Sequence, residues 1–170
     1  MSWKPVRVRP VTLDDLPALL ELGEELSKGA SKLNGSRAQR YTDAIADPDR
    51  HLVLAVGDDS EEPLGMALFT VSSANALVDL PAVHISHAVV GHRHRRRGAG
   101  KALVAAAASF AEERGIDQLV ISVHPSSREA ARFYARLGFA PLAVRRTAPV
   151  TVVRRRLSQR LSQRLSQRRP

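Results

Sequence analysis

The segment from Val83 to Lys101, VHISHAVVGHRHRRRGAGK, restricts the fold more than any other stretch of the chain. Val83 to Val90 reads as a buried strand and Gly91 breaks it. A basic glycine loop then leads into an alanine-rich helix from about Ala99 to Arg114, which Gly115 stops. Gly98 and Gly100 remove side chains at the point where strand passes into helix. Backbone N–H groups there can approach an anion closely, and the helix dipole adds about half a positive charge. Pyrophosphate is a natural ligand of such a turn. The spacing is neither G-x-G-x-x-G nor G-x-x-x-x-G-K-[ST]: Arg95 stands where the first P-loop glycine would fall, and Ala102 replaces the hydroxyl residue, which argues against nucleotide hydrolysis. A solvated basic turn whose glycines only permit a bend is the competing reading.

Val6 and Val8 alternate with Arg7 and Arg9 as in a short strand that Pro10 ends. Thr12 with Asp15 forms a capping-box signature ahead of Leu13, Leu16, Leu19, Leu20 and Leu26, a helical stripe reaching about Lys28. Ser36 with Gln39 opens a weaker helix to Ala46. His51 to Val56 and Leu64 to Ser72 read as a hairpin joined by the polar segment Gly57 to Pro63. Further on, Leu119 to Val123 is a second central strand and Ser126 to Leu137 a helix ended by Gly138. Phe139 to Val144 and Val150 to Arg155 are expected as closing strands. A hairpin-rich half thus precedes two strand-to-helix units. That order predicts an α/β fold of mixed α+β type, one mixed, mostly antiparallel sheet of about seven strands flanked by four helices.

The 170 residues suit one domain, and the absence of cysteine excludes disulfides, thiolate zinc sites and a cysteine nucleophile. No apolar run approaches the ~18 residues of a membrane span, so a cytoplasmic location and no membrane partner are expected. Of the net charge of +9, seven charges belong to the arginines of residues 154–170, where there is no acid, which leaves +2 for the rest of the chain. Residues 1–155 are read as the domain. Residues 156–170, with RLSQ repeated three times, are read as a low-complexity basic tail.

Two segments resemble a known family. Arg95-x-x-Gly98-x-Gly100 matches the [QR]-x-x-G-x-[GA] signature of the GNAT superfamily of N-acetyltransferases, and Phe133-Tyr134-Ala135-Arg136-Leu137-Gly138-Phe139 is similar to its F-Y-x-x-x-G-F segment. The order of elements agrees over roughly residues 5–155. The resemblance implies a GNAT-like sheet whose two central strands splay apart, and a transfer of acetyl from acetyl-CoA to a primary amine by direct attack, without metal. By the same resemblance, the backbone at Val89 and Val90 would pair with the pantetheine amides. Arg95, Arg96, Arg97, Gly98, Ala99, Gly100 and Lys101 would hold the pyrophosphate, and Ser127 takes a position that is often asparagine. His92 stands where the family often has proline. Tyr134 would be the general acid for the departing thiolate, with packing on the apolar face of Ala130, Phe133 and Leu137 as the competing role.

An amine with a pKa near ~10.4 is almost entirely protonated at neutral pH, so attack needs a route for its proton. Some family members use a strand glutamate, but Leu119 to His124 offers no acid. His84 and His87 are the candidate bases, acting through water. Their odd separation puts them on opposite faces of a regular strand, so at most one should face the acceptor. His92, His94 and His124 have no carboxylate to complete a ligand set, and no metal site is expected. Two other functions stay open: a non-catalytic acyl-CoA sensor, and a nucleic-acid-binding protein using the basic tail. The second is disfavoured by the lack of a recognisable nucleic-acid motif and by only four Phe, two Tyr and one Trp. The acceptor amine and a homodimer are left undecided.

Overall fold

The computed structural model describes residues 5–26, 36–75, 78–124, 126–142 and 146–166. The chain divides into two compact units, Met1–Ser122 and Val123–Pro170. The first holds one five-stranded sheet in the order β1 (Val6–Pro10), β2 (Arg50–Gly57), β3 (Pro63–Asn75), β4 (Val78–Val90) and β5 (Leu119–Ile121). The first three pairings are antiparallel and β4 pairs with β5 in parallel, which makes the sheet mixed and mostly antiparallel. The same unit carries α1 (Leu16–Leu26), α2 (Arg37–Ala46) and α3 (Ala99–Glu112). The stripe expected to reach Lys28 is helical to Leu26, and residues 27 and 28 lie outside those described.

Strand β2 is buried from Leu52 to Val56 without interruption, because both faces of the sheet are covered there. Alternate residues serve two cores. Leu52, Leu54, Val56 and Met66 pack with Leu19 and Leu22 of α1 and with Tyr41 and Ile45 of α2. The other face turns Val53, Ala55, Ala67, Phe69, Val83 and Ile85 toward α3, which buries Leu103, Ala107 and Ala111. Small α3 residues let that helix lie close to the strands. At its far end Phe110 lies 5.7 Å from Phe69 and stacks on His51, and burial together with nearby Arg114 lowers the His51 pKa. Each fully buried Leu, Val or Phe contributes roughly 1.5–3 kcal/mol.

The capping box at Thr12 is formed: the Thr12 N–H donates to Asp15 at 2.8 Å. Asp15 also accepts two hydrogen bonds from Arg9, each of 2.8 Å, which tie β1 to the start of α1. These hydrogen bonds lower the Asp15 pKa to about 2.

The second unit holds α4 (Arg128–Arg136) and α5 (Val150–Ser166). Here the sequence expectation needs correcting. Among the described residues there are five strands and five α-helices, rather than about seven strands and four helices. Residues 139–142 form no strand, and Val150 to Arg155 belongs to a helix; residues 143 and 144 lie outside those described. The run Val-Thr-Val-Val favours a strand by local propensity, but Pro149 opens the first turn of a helix by accepting the N–H groups of Val152 and Val153. The Leu, Arg and Gln that follow, none of them branched at Cβ, are good helix formers, and they carry the helix on to Ser166. No described helix is long and apolar enough to cross a membrane.

Candidate cofactor loop and transfer residues

The site begins on β4. Its pairing with β5 runs from Val83 to Ile85, opposite Leu119 to Ile121, and goes no further. On its other edge β4 stays paired with β3 as far as Val90, but with a bulge. Met66 opposes Val89 and Leu68 opposes Ser86, so β4 has one residue too many, at His87 or Ala88. His87 has a φ of 50°, a left-handed conformation that costs a non-glycine residue roughly 1 kcal/mol. The bulge starts where the β5 partner ends. From Ser86 to Val90, including the Val89 and Val90 of the sequence analysis, one edge of β4 therefore has no strand partner among the described residues.

The bulge also separates the two candidate histidines. His84 opposes Thr70 and shares its sheet face with Ser86 and Val89, the face covered by α1. Among the described residues its Nε2 is the single buried side-chain atom without a hydrogen-bond partner. His87 is exposed, with Nδ1 3.4 Å from the Ser86 hydroxyl.

After Gly91 a single 3-10 turn, His92–His94, leads into the arginine run. Arg96 and Gly98 both have positive φ, of 61° and 89°, and Gly98 is the residue that caps the start of α3. No side chain caps that helix, so the free N–H groups of its first turn are left to another acceptor. Backbone that turns in this way gathers N–H groups into a concave anion site. Two carboxylates from distant segments hold the loop. Glu25 of α1 accepts the His92 N–H at 2.8 Å, and Glu62 lies 3.6 Å from the Arg97 guanidinium and 3.9 Å from His94. Arg97 also meets His94 Nδ1 at 2.9 Å. Among the described residues no carboxylate pairs with Arg93, Arg96 or Lys101. A cleft of about 40 Å³ opens beside Arg97 and Glu62, with no lining residue from β4. It has room for little more than water.

In the second unit Ser127 precedes α4 as its N-cap residue without a hydrogen bond from its hydroxyl, and the helix buries none of its residues completely. Its end explains the Tyr-x-x-x-Gly-Phe spacing. Gly138, at a φ of 91°, donates to Ala135, and Phe139 donates to the Tyr134 carbonyl at 3.1 Å. This is a Schellman cap, and its usual apolar contact is present as Tyr134 and Phe139 rings edge to face at 5.6 Å. Phe133 meets Tyr134 edge-on at 4.9 Å. Burial raises the Tyr134 pKa, so the phenol keeps its proton at neutral pH. Its hydroxyl has no hydrogen bond among the described residues.

The family model for the acetyltransferase (GNAT) family matches residues 19–139. The chain belongs to the GNAT family. No curated protein sequence matches it. Solved structures share the GNAT fold at low identity. A transcriptional regulator from Bacillus halodurans C-125 is 22% identical, with a TM-score of 0.71 over 85% of this chain and 99% of that one. The ribosomal-protein-alanine N-acetyltransferase from Brucella melitensis is 21% identical, with a TM-score of 0.68 over 85% and 99%. The glucosamine-6-phosphate N-acetyltransferase from Arabidopsis thaliana is 16% identical, with a TM-score of 0.67 over 86% and 99%.

Within this GNAT chain, Val89, Val90, His84, His87 and the loop Arg95 to Lys101 lie on consecutive elements of the first unit, whereas Ser127 and Tyr134 belong to the second. Sequence reasoning missed Glu25 and Glu62. The replacement of proline by His92 was the available signal, because it adds an N–H that needs an acceptor, and Glu25 supplies it. Nothing in the local pattern marked Glu62. No group of three or more His, Cys, Asp or Glu among the described residues is arranged to hold a metal.

Proposed function

We propose that this GNAT protein transfers the acetyl group of acetyl-CoA to a primary amine that attacks the thioester directly. One observation carries the reading: the uncapped start of α3, with Gly98 left-handed and Arg93, Arg96 and Lys101 paired with no carboxylate among the described residues, follows, after one short turn, a strand edge that has no partner among those residues. That set of donors and charges fits a pyrophosphate followed by an amide-bearing arm. In this reading Arg95 to Lys101 bind the pyrophosphate, mainly through the amides of Ala99, Gly100 and Lys101. Val89 and Val90 hydrogen-bond the pantetheine amides, and Ser127 supplies a further polar contact.

The acetyl carbon gains a bond to nitrogen and loses its bond to sulfur. The amine proton leaves through water to a base, and the departing thiolate takes a proton from Tyr134. Two facts support Tyr134 as that acid: burial raises its pKa, so the phenol is neutral, and its hydroxyl has no hydrogen bond among the described residues. Of the two histidines His84 is the better base, because its buried Nε2 has no other partner, whereas His87 is exposed. Residues 156–170 are an appendage that the transfer does not need.

Release of free thiol from acetyl-CoA across a panel of small amines, amino acids and peptide amino termini tests the activity. With an acceptor found, Tyr134→Phe should lower kcat by roughly 10² to 10⁴ fold with cofactor affinity nearly kept. Unchanged turnover would return Tyr134 to a packing role. His84→Gln should lower kcat far more than His87→Gln, and equal effects would remove both from proton transfer.

A further inference from the structure

The repeats near the end of the sequence are outside the residues assigned to the transfer, yet as far as Ser166 they lie on a regular helix. Val150, Val153 and Leu157 of α5 stand at i, i+3 and i+7, one side of the helix, and are 69%, 44% and 58% exposed. Arg154 and Arg156 flank that side of the helix, Arg155 lies on the opposite side, and all three are exposed. No Asp or Glu follows Glu129 up to Pro170, a stretch that holds the seven arginines from Arg154 onward. Among the described residues no carboxylate pairs with Arg154, Arg155 or Arg156.

We propose that α5 docks this protein peripherally on an anionic lipid surface. Charge complementarity selects the occupant. A second copy of α5 would set arginine against arginine with no acid between them, which is repulsive. Nucleic acid would satisfy the guanidinium groups but offers little to an exposed Val-Val-Leu side. A bilayer with acidic headgroups satisfies both, since guanidinium groups bind lipid phosphates in pairs of hydrogen bonds while apolar side chains enter the acyl boundary. The apolar side is narrow. Attraction therefore comes first from the arginines and second from Val150, Val153 and Leu157. Arginine suits this position, because its stem can lie along the apolar boundary with its head in the phosphate layer. The inference does not depend on the acyl-transfer reading, because α5 lies outside the residues assigned to it.

The test is co-sedimentation of the full chain with large vesicles. At about 0.1 M salt, vesicles containing about one-third phosphatidylserine should bind at least about tenfold more tightly than phosphatidylcholine alone. Binding should fall by about tenfold or more at about 0.5 M salt. The triple change R154Q/R155Q/R156Q should weaken it by at least about tenfold, and V153S/L157S by roughly threefold to tenfold. Far-UV circular dichroism would check that both variants keep their helix, and the salt response of the unchanged chain stands even if they do not. Equal binding to both vesicles, or none, overturns the proposal. So does full binding by V153S/L157S. Tighter binding to a DNA duplex than to vesicles, unaffected by V153S/L157S, would assign α5 to nucleic acid instead. A dimer that V153S/L157S dissociates would assign it to a second copy.

Discussion

Arginines in the two units live under different conditions. In the first unit Arg9 is held by Asp15, Arg50 by Asp47 and Arg97 by Glu62. The second unit places three arginines in a row on an exposed helix with no acid within reach in sequence. Charge alone is alike in both. What differs is the backbone. Around Gly98, positive-φ residues and an uncapped helix start add directed N–H donors to the cations, while α5 has every mid-helix N–H committed to its own turn. Directed donors favour one small anion at one place, and a row of free guanidinium groups favours an extended anionic surface.

The largest expected effect comes from destroying the directed donors without touching a charge. Gly98→Val should weaken acetyl-CoA binding by about a hundredfold or more, since valine resists positive φ and blocks close approach of the phosphates. In the unchanged protein a hundredfold excess of ligand should add on the order of 2.7 kcal/mol of thermal stabilisation, and calorimetry with melting curves reads both. R154Q/R155Q/R156Q should change that affinity by less than about twofold. A larger loss from the triple change than from Gly98→Val would reverse the comparison.

Next is the paired arginine of β1. The Asp15 pKa is lowered in the folded protein, so its contribution is fully present above the unfolded value near 3.8 and is lost as pH falls through about 2. Asp15→Asn should therefore cost about 2 kcal/mol at neutral pH. In urea titrations the difference between the two proteins should shrink from about pH 5 downward. A constant difference over that range would show that folding does not lower the Asp15 pKa.

Smaller still, Glu25→Ala should weaken acetyl-CoA binding by roughly threefold to tenfold, the value of one hydrogen bond to a charged group. Glu25→Gln keeps an acceptor oxygen for the His92 N–H and should restore most of it. No recovery with Gln would mean that the charge of Glu25 matters and the hydrogen bond does not. The least effect belongs to Arg154→Gln, which should leave stability within about 0.5 kcal/mol because no partner is lost.

Much of the first unit was legible because its signals are local. Capping residues, the alternation in β1, the polar segment between β2 and β3, and the glycine after α3 each act within a few positions, and the structure places helices and strands where they pointed. The turn into α3 was legible for the same reason, since Gly98 takes the left-handed conformation there, while Gly100 lies within the helix. Two things were not. The bulge at His87 depends on how Met66 and Leu68 register against β4, and register is a property of two strands at once. Propensity failed at Val150 to Val153, where a β-branched run gave way to a helix that Pro149 initiates. Glu25 and Glu62 are separated from their loop partners by 67 and 35 positions, and no periodicity spans such distances.

The Schellman cap at the end of α4 bears on how relatives of this protein are recognised. Tyr134, Gly138 and Phe139 are required together by helix termination: one residue accepts the closing N–H, one takes the left-handed turn and one packs back on the first. A sequence search keyed on that spacing therefore detects a way of ending a helix. A homologue with phenylalanine in place of Tyr134 would keep the contact, pass the search and lack the hydroxyl. Sorting transferases from silent relatives in such a collection calls for asking, chain by chain, whether a phenol is present and whether anything else already holds its proton.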